Sequence, residues 1–161
     1  MLPEGTLAEL INGTIYMSPA PTTEHQRIIR KLAFQISSFI ENQNLGEVFF
    51  APCDVYFDEK ANAVQPDIIF ISSKKNGIVQ KSGIHGVPDL LIEVLSSGNS
   101  EHDTVIKKEL YQKFGVQEYW IVNPETKETM GYSLKDNTYQ PLGQFTGKIH
   151  SVILANQTFD F

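Results

Sequence analysis

The feature that most constrains the fold is a pair of continuous apolar runs, each of which follows a Pro-Asp dipeptide. Pro66-Asp67 precedes IIFIS at residues 68–72, and Pro88-Asp89 precedes LLIEVLSS at residues 90–97. A strand with one face in water alternates apolar and polar residues, whereas a continuous apolar run is typical of a strand that is buried on both faces. The two runs therefore predict central strands of a sheet that is covered on both sides.

The segments around these runs carry helix and strand patterns in turn. Asn12-Gly13 predicts the turn of a hairpin over residues 9–17, and apolar residues at helical spacing predict a helix over 23–43, capped by Thr22 or Thr23. A second helix is predicted over 104–114, ended by Gly115, and residues 73–87 are expected to form an excursion with little core. Further strands are predicted over residues 48–50, 54–57, 118–122, 130–134, 138–141 and 152–154. This order predicts a mixed α+β or α/β domain, in which a few helices flank a central mixed sheet.

Composition and charge limit the classes of protein to which the chain can belong. A length of 161 residues favours one domain over residues 1–161. The single cysteine, Cys53, can form neither an internal disulfide nor a cysteine zinc site. No targeting pattern or long apolar span is visible, so we expect a cytoplasmic protein without a membrane segment. The net charge of −6 argues against a large basic surface for nucleic acid, although a bound divalent cation would change the local sign.

Each apolar run also carries one acid at a place where a carboxylate is costly. Asp67 directly precedes IIFI, and Glu93 lies inside LLIEVL. A carboxylate in such a setting must be paired, protonated or bound to a metal. Because alternate residues of a strand share a face, Glu93 is expected to point the same way as Leu91 and Leu95. A structural ion pair with a core lysine or arginine would explain Glu93 equally well.

The acid of the second Pro-Asp is a weaker candidate. Asp89 lies four residues before Glu93 on the same predicted strand, about 13 Å away at the usual rise of a strand. The two carboxylates are then too far apart to hold one ion. We expect Asp89 to end a loop or to cap a strand.

The predicted second helix supplies a candidate cation. Asp103, Lys107 and Tyr111 are four residues apart and share one helical face. Lys108 is equally available but lies about 100° away around the helix. By itself this spacing is equally compatible with an ordinary surface pair of acid and lysine.

Together these motifs resemble the Uma-two family of restriction endonucleases, which belongs to the PD-(D/E)XK nuclease superfamily. The resemblance covers nearly the whole chain. The matching residues are LINGTIYMSPAP at 10–21, His25-Gln26, Pro66-Asp67, Gly86-x-Pro88-Asp89 through Ser96, Asp103, Lys107, Tyr111, and Gly115-Val116 through Val122. The superfamily usually places its lysine two residues after the acid, where this chain has Leu95. The family pattern implies that Lys107, on a helix, takes that place.

The resemblance implies a restriction-endonuclease-like fold and hydrolysis of DNA phosphodiester bonds with Mg²⁺, for which Mn²⁺ could substitute. It implies Asp67, Glu93 and the main-chain carbonyl of Val94 as ligands of the ion, since Mg²⁺ prefers oxygen ligands. Lys107 would orient the attacking water or stabilise the developing negative charge. From its spacing we expect Asp103 to hold Lys107.

Other expectations concern single residues. His25 matches the family's HQ and could serve as a proton carrier, a phosphate contact or simply a capping or surface histidine. Tyr111 is expected to support the site or to belong to the core. His85, His102 and His150 show no metal-ligand spacing.

Two rival functions remain open at this point. A catalytically silent binding or regulatory module with the same fold would suit the acidic charge, whereas the presence of both costly acids opposes it. A nuclease that acts on RNA is the other rival. A homodimer would match the two-fold symmetry of a DNA duplex, by analogy with the fold alone.

Overall fold

The computed structural model describes residues 7–96 and 101–161. Helix α1 spans Thr23–Gln43, and helix α2 spans Lys108–Phe114 after a π-helical segment over His102–Lys107. A 3₁₀ segment spans Ser73–Ile78. The strands are β1 (Ala8–Ile11), β2 (Thr14–Met17), β3 (Gly46–Phe50), β4 (Val55–Tyr56), β5 (Ala63–Val64), β6 (Ile68–Ser72), β7 (Val79–Gln80), β8 (Gly83–His85), β9 (Leu90–Val94), β10 (Glu118–Val122), β11 (Glu128–Lys135), β12 (Thr138–Thr146), β13 (Lys148–Ser151) and β14 (Gln157–Asp160).

The two apolar runs form adjacent strands at the centre of a mixed sheet, as the sequence predicts. The strand order is β12-β11-β10-β9-β6-β3. Strands β9 and β10 are parallel and are joined through the helical segment between them, while β6 runs antiparallel to β9. Every residue of β9 and of β10 is buried, which explains why these strands lack polar alternation.

Alternate residues of β6 face two separate cores. Ile68 and Phe70 pack against α1, whereas Ile69 and Ile71 face the opposite side. On that opposite side lies a smaller sheet of order β2-β1-β5-β4-β8-β7, together with α2. The β13–β14 hairpin adds Ile149 and Phe159 to the core on the α1 side.

The turns follow the local residue chemistry. Asn12 and Gly13, between β1 and β2, have φ angles of +49° and +79°, as a tight type I′ hairpin turn requires. Thr22 caps α1, since its side chain accepts a hydrogen bond from the main chain of His25 at 3.2 Å. Asn44 and Gly115 end α1 and α2 in the left-handed conformation.

Two predictions about the secondary structure are wrong. Residues 152–154 form no strand but belong to the turn that joins β13 to β14, and the buried carboxylate of Glu118 binds the main-chain N–H groups of Val152 and Ile153 there. The second helix begins earlier than predicted, with π-helical turns over His102–Lys107. Residues 73–87 also contribute more than expected, because Ile84 of β8 is buried in the core.

Within residues 7–96 and 101–161, no helix has the length and apolar character that crossing a membrane requires.

Candidate active site

The register of the central sheet brings the two predicted acids to one place. Ile68 of β6 pairs with Ile92 of β9, so in this antiparallel ladder Asp67 comes opposite Glu93. By the alternation of β6, Asp67 points to the same face as Ile69, and Glu93 shares that face with Leu91. The main-chain N–H of Val94 donates to Asp67 Oδ2 at 2.7 Å, which fixes one oxygen of this carboxylate at the end of β9.

The lysine of the second helix reaches the buried glutamate. Lys107 Nζ lies 2.9 Å from Glu93 Oε1, and the hydroxyl of Tyr111 donates to the same oxygen at 2.6 Å. All three side chains are buried. One oxygen of Glu93 therefore holds two donors from a single helical face, as the spacing of Lys107 and Tyr111 predicts.

Asp103 lies beside this lysine. Its Oδ1 is 3.4 Å from Lys107 Nζ, and its main-chain carbonyl accepts a hydrogen bond from the Tyr119 hydroxyl at 2.8 Å. The π-helical turns keep Asp103 and Lys107 within one turn of each other. Asp103 is thus placed where the sequence predicts it.

Glu9, on β1 of the smaller sheet, completes the surroundings of the lysine. Its Oε1 lies 2.9 Å from Lys107 Nζ and accepts from the main chain of Gln65 at 2.8 Å. Its Oε2 is 3.0 Å from His102 Nε2. Neither Glu9 nor His102 was predicted from the sequence as part of the site. Glu9 shows the same pattern as Glu93, a carboxylate among the apolar residues of a strand, because it shares the buried face of β1 with Ile11.

His25 reaches Asp67 from the first turn of α1. Its Nε2 lies 3.3 Å from Asp67 Oδ2, and the side chain is only 7% exposed. Burial lowers the pKa of His25, but the hydrogen bond and the charge of Asp67, with the main chain of Val94, outweigh burial and raise it. Of the predicted roles, the surface histidine is therefore not what the structure shows.

The pKa values of the three carboxyl groups around Lys107 are shifted in different directions. Burial raises the pKa of Glu93 well above its usual value and also raises that of Asp103, against the attraction of Lys107. Burial acts on Glu9 in the same direction, but the charge of Lys107 and the hydrogen bond with His102 outweigh it and hold the pKa of Glu9 at about 2. Burial lowers the pKa of Lys107, whereas the three carboxylates together raise it well above its usual value.

The acids open onto a pocket of about 370 Å³. Its walls are mainly uncharged and include Pro19, Pro21, Ala51, Pro52 and Gln65, while its charged floor holds the carboxylates, Lys107 and the two histidines. The side chain of Asp67 is 13% exposed, which is more than that of any of its neighbours at the floor of the pocket; the next are His102 at 11% and Asp103 at 9%. Asp67 is therefore the acid that a solute in the pocket reaches most readily.

A divalent cation fits the donors that this floor presents. In the part of the chain that the structure describes, no group of three or more His, Cys, Asp or Glu side chains is spaced to hold a metal ion. Two carboxylates suffice for Mg²⁺, however, because it usually keeps several water ligands. Among the described residues, Asp67 Oδ1 and Glu93 Oε2 have no hydrogen-bond partner, so each acid has one oxygen to offer. The surplus of carboxylates over lysine also favours a cation here.

The other charged candidates lie outside this group. Asp89 accepts from the main chain of Ser72 at 2.7 Å and pairs with Lys75 at 3.0 Å, so it fixes the far end of β6 as expected for a capping residue. Lys108 lies over the ring of Tyr132, 4.2 Å from its centroid. Only Lys107 of the two adjacent lysines faces the acids.

Glu118 is a buried acid with a different purpose. Its side chain accepts from the indole N–H of Trp120 at 2.7 Å and from the main chain of Val152 and Ile153 at 2.9 and 3.0 Å. Because even-numbered residues of β10 face the α1 side, Glu118 lies on the opposite face of the sheet from Glu93. It ties the β13–β14 turn to the sheet.

Comparisons with known proteins agree with this architecture. The family model described as "Uma2: Putative restriction endonuclease" matches residues 2–156. Among solved structures, the chain is similar to "a putative nuclease belonging to DUF820 from Anabaena variabilis ATCC 29413", with 23% sequence identity, a TM-score of 0.71, and coverage of 87% of this chain and 79% of that one. At this identity the likeness shows the fold. No curated protein matches the chain.

Proposed function

The chain belongs to the Uma2 family, and we propose that it is a metal-dependent endonuclease that hydrolyses DNA phosphodiester bonds. The family description supports a nuclease. The DNA substrate, the Mg²⁺ ion and the roles of single residues are our proposals.

One observation carries the proposal. Asp67 and Glu93 come opposite each other on one face of the sheet, each with one uncommitted oxygen, and Lys107 lies 2.9 Å from the second acid. Two hard oxygen donors beside a buried cation are the groups that phosphodiester hydrolysis requires. A structural ion pair would explain Glu93 and Lys107, but it would not explain the presence of Asp67 at the same place.

In this proposal Asp67, Glu93 and the carbonyl of Val94 hold Mg²⁺. The ion, when bound, supplies a water of lowered pKa and charge relief on the phosphate. The chain keeps the ligands in place by separate contacts: Val94 N–H and His25 orient Asp67, while Lys107 and Tyr111 orient Glu93.

Lys107 is the proposed donor to the phosphate. An ammonium group has three N–H donors, and here they face Glu9, Glu93 and Asp103 at 2.9, 2.9 and 3.4 Å. The contact with Asp103 is the longest, so an entering phosphate oxygen would replace it at the lowest cost. Glu9 and Glu93 would then hold the ammonium group while it stabilises the developing charge.

The test is cleavage of a plasmid with Mg²⁺ and then Mn²⁺ at low salt. We expect Lys107→Ala to lower the cleavage rate by roughly 10²–10³-fold, as for other preorganised donors of this kind. Lys108→Ala is the matched control, because it removes a lysine of the same helix that faces away. Loss of activity in the Lys108 variant instead would refute the assignment.

Two further substrates separate the rival functions. Cleavage of RNA and not of DNA would replace the proposed substrate while keeping the site. If wild-type protein binds nucleic acid and cuts neither duplex, single-stranded DNA nor RNA with either ion, the silent binding module replaces the enzyme.

A further inference from the structure

The first helix leads from the pocket onto the surface of the protein. His25 and Gln26 line the pocket, and the helix continues for 17 residues beyond Gln26. Phe34 lies about 12 Å further along the axis than Gln26 at 1.5 Å per residue. The exposed residues of the helix are therefore continuous with the pocket wall.

This exposed face is basic in an acidic protein. Arg27, Arg30 and Lys31 are all exposed on it. Arg27 pairs with Glu24 at 3.1 Å, whereas Arg30 and Lys31 have no ion-pair partner among residues 7–96 and 101–161. Two cations are thus available to phosphate groups within one turn of the helix.

Two aromatic rings accompany these charges. Phe34 lies one turn beyond Arg30 and is 75% exposed. Phe50, at the end of β3, is 40% exposed and directly precedes Ala51 and Pro52 of the pocket wall. It points to the same side of the sheet as Val48, which packs towards α1. We call Gln26, Arg30, Lys31, Phe34 and Phe50 the α1 strip.

We propose that the α1 strip binds an unpaired DNA strand that leads into the pocket, with phosphates on Arg30 and Lys31 and a base stacked on Phe34. This inference rests on the proposed function and names the form of its substrate. Basic side chains beside exposed aromatic rings are the combination that binds single strands, because every base offers a flat face for stacking.

The depth of the site favours the same form of DNA. Glu93 and Lys107 are buried at the floor of the pocket, and its proline-rich walls stand between them and solvent. A stacked duplex is rigid and broad, whereas an unpaired strand can turn a phosphate into a pocket. The proposal therefore accounts for recessed acids and for an aromatic surface outside them.

The strip suits a second copy of the chain poorly. The centre of a stable protein interface is depleted of charge, but Phe34 is flanked on its own helix by Arg30 and Lys31. The exposed charge of the α1 strip is positive, which is the sign that binds phosphate groups.

The test measures binding without cleavage. A fluorescein-labelled 20-nucleotide poly-dT strand is titrated with wild-type protein in EDTA at low salt, and fluorescence anisotropy gives the dissociation constant. Phe34→Ala should raise that constant roughly 5- to 100-fold, the usual effect of removing one stacking platform, and Phe34→Trp should restore it. Arg30→Gln should reduce the salt dependence by about 0.7 in the slope of log K against log salt, the contribution of one phosphate contact.

Two exposed residues elsewhere serve as controls. Val152→Ala, in the β13–β14 turn, matches the apolar change, and Lys135→Gln, at the tip of the β11–β12 hairpin, matches the charge change. Neither should alter binding. Equal binding by wild type and Phe34→Ala would overturn the proposal. So would tighter binding of a duplex than of its single strand, or a Phe34-dependent dimer in sedimentation experiments. None of these results depends on catalysis, so they leave the proposed nuclease activity to its own test.

Discussion

Replacing Lys107 by methionine should expose how strongly the buried acids depend on one cation. The change keeps most of the side-chain length but leaves Glu9, Glu93 and Asp103 around an apolar tip in place of contacts at 2.9, 2.9 and 3.4 Å. Removing one partner of a buried ion pair typically costs about 3–5 kcal/mol of unfolding free energy. In a protein of this size, that corresponds to a fall in melting temperature of roughly 6–20 °C.

The loss should depend on pH. In the variant, burial without a cation raises the pKa of all three carboxyl groups above their unfolded values, so the folded state takes up protons more readily. Its stability should then increase as pH falls through the raised pKa values towards the unfolded values, near 4.5 for glutamate and 3.8 for aspartate. The difference from wild type should therefore be large at pH 8 and smaller at pH 5.

Urea unfolding at both pH values measures this difference, and Lys108→Met is its control. Among residues 7–96 and 101–161, the contact given for Lys108 is with the ring of Tyr132, so this variant should lose about 1 kcal/mol or less at either pH. Equal stability of the two methionine variants, or a stability deficit of Lys107→Met that is the same at pH 5 and pH 8, would contradict this dependence of the acids on Lys107.

Further expectations concern the other acids. Glu9→Gln should lower the cleavage rate. Because the pKa of Glu9 is held at about 2, the stability deficit of this variant should be constant above about pH 5 and should shrink as pH falls from 4.5 towards 2. A deficit that persists at low pH would contradict this. Glu118→Gln should lose about 1–3 kcal/mol in urea unfolding, while Mn²⁺ affinity stays unchanged. The amide has one acceptor oxygen, so if that oxygen keeps the bonds from the main chain of Val152 and Ile153, its NH₂ group faces the indole N–H of Trp120 and that bond is lost. Mn²⁺ should raise the melting temperature of wild type but not of Asp67→Ala, and an equal rise in both would place the ion elsewhere.

The position of the acids could be predicted because a charge inside an apolar strand needs an explanation. Glu93 interrupts a run that is otherwise buried throughout, and strand periodicity then fixes the face to which it points. The pairing of Asp67 with Glu93 depends on the register of β6 and β9. The apolar runs by themselves indicated only that both acids belong to central strands, whereas the resemblance to the family implied that the two acids bind one ion.

Contacts between distant segments were harder to predict. Glu9 could have been predicted as a buried acid, because it lies among apolar residues of β1 and alternates with Ile11 on the buried face of that strand. His102 reaches Glu9 across 93 residues of chain, and nothing in its own neighbourhood indicates that. Glu118 likewise contacts a distant segment, because its side chain binds the main chain of Val152 and Ile153 in the β13–β14 turn. Those residues were predicted to form a strand, so this contact was not predicted.

The residue spacing correctly predicted which face of the second helix points to the acids, although this helix begins with irregular turns. Asp103 and Lys107 lie in π-helical turns, and Tyr111 lies in the regular helix that follows. Residues four apart still share a face across this junction, so the choice of Lys107 over Lys108 agrees with the geometry. The π-helical geometry itself has no counterpart in the residue pattern.

A crystal soaked in Mn²⁺ shows whether Asp67 and Glu93 share one ion, because the anomalous signal of manganese locates the ion without reference to activity. We expect one peak between Asp67 and Glu93, with a carboxylate oxygen of each at about the 2.0–2.1 Å of Mg²⁺ coordination, and no peak there in Asp67→Ala. A strong peak at another place, or carboxylates too far apart to share one ion, would contradict it.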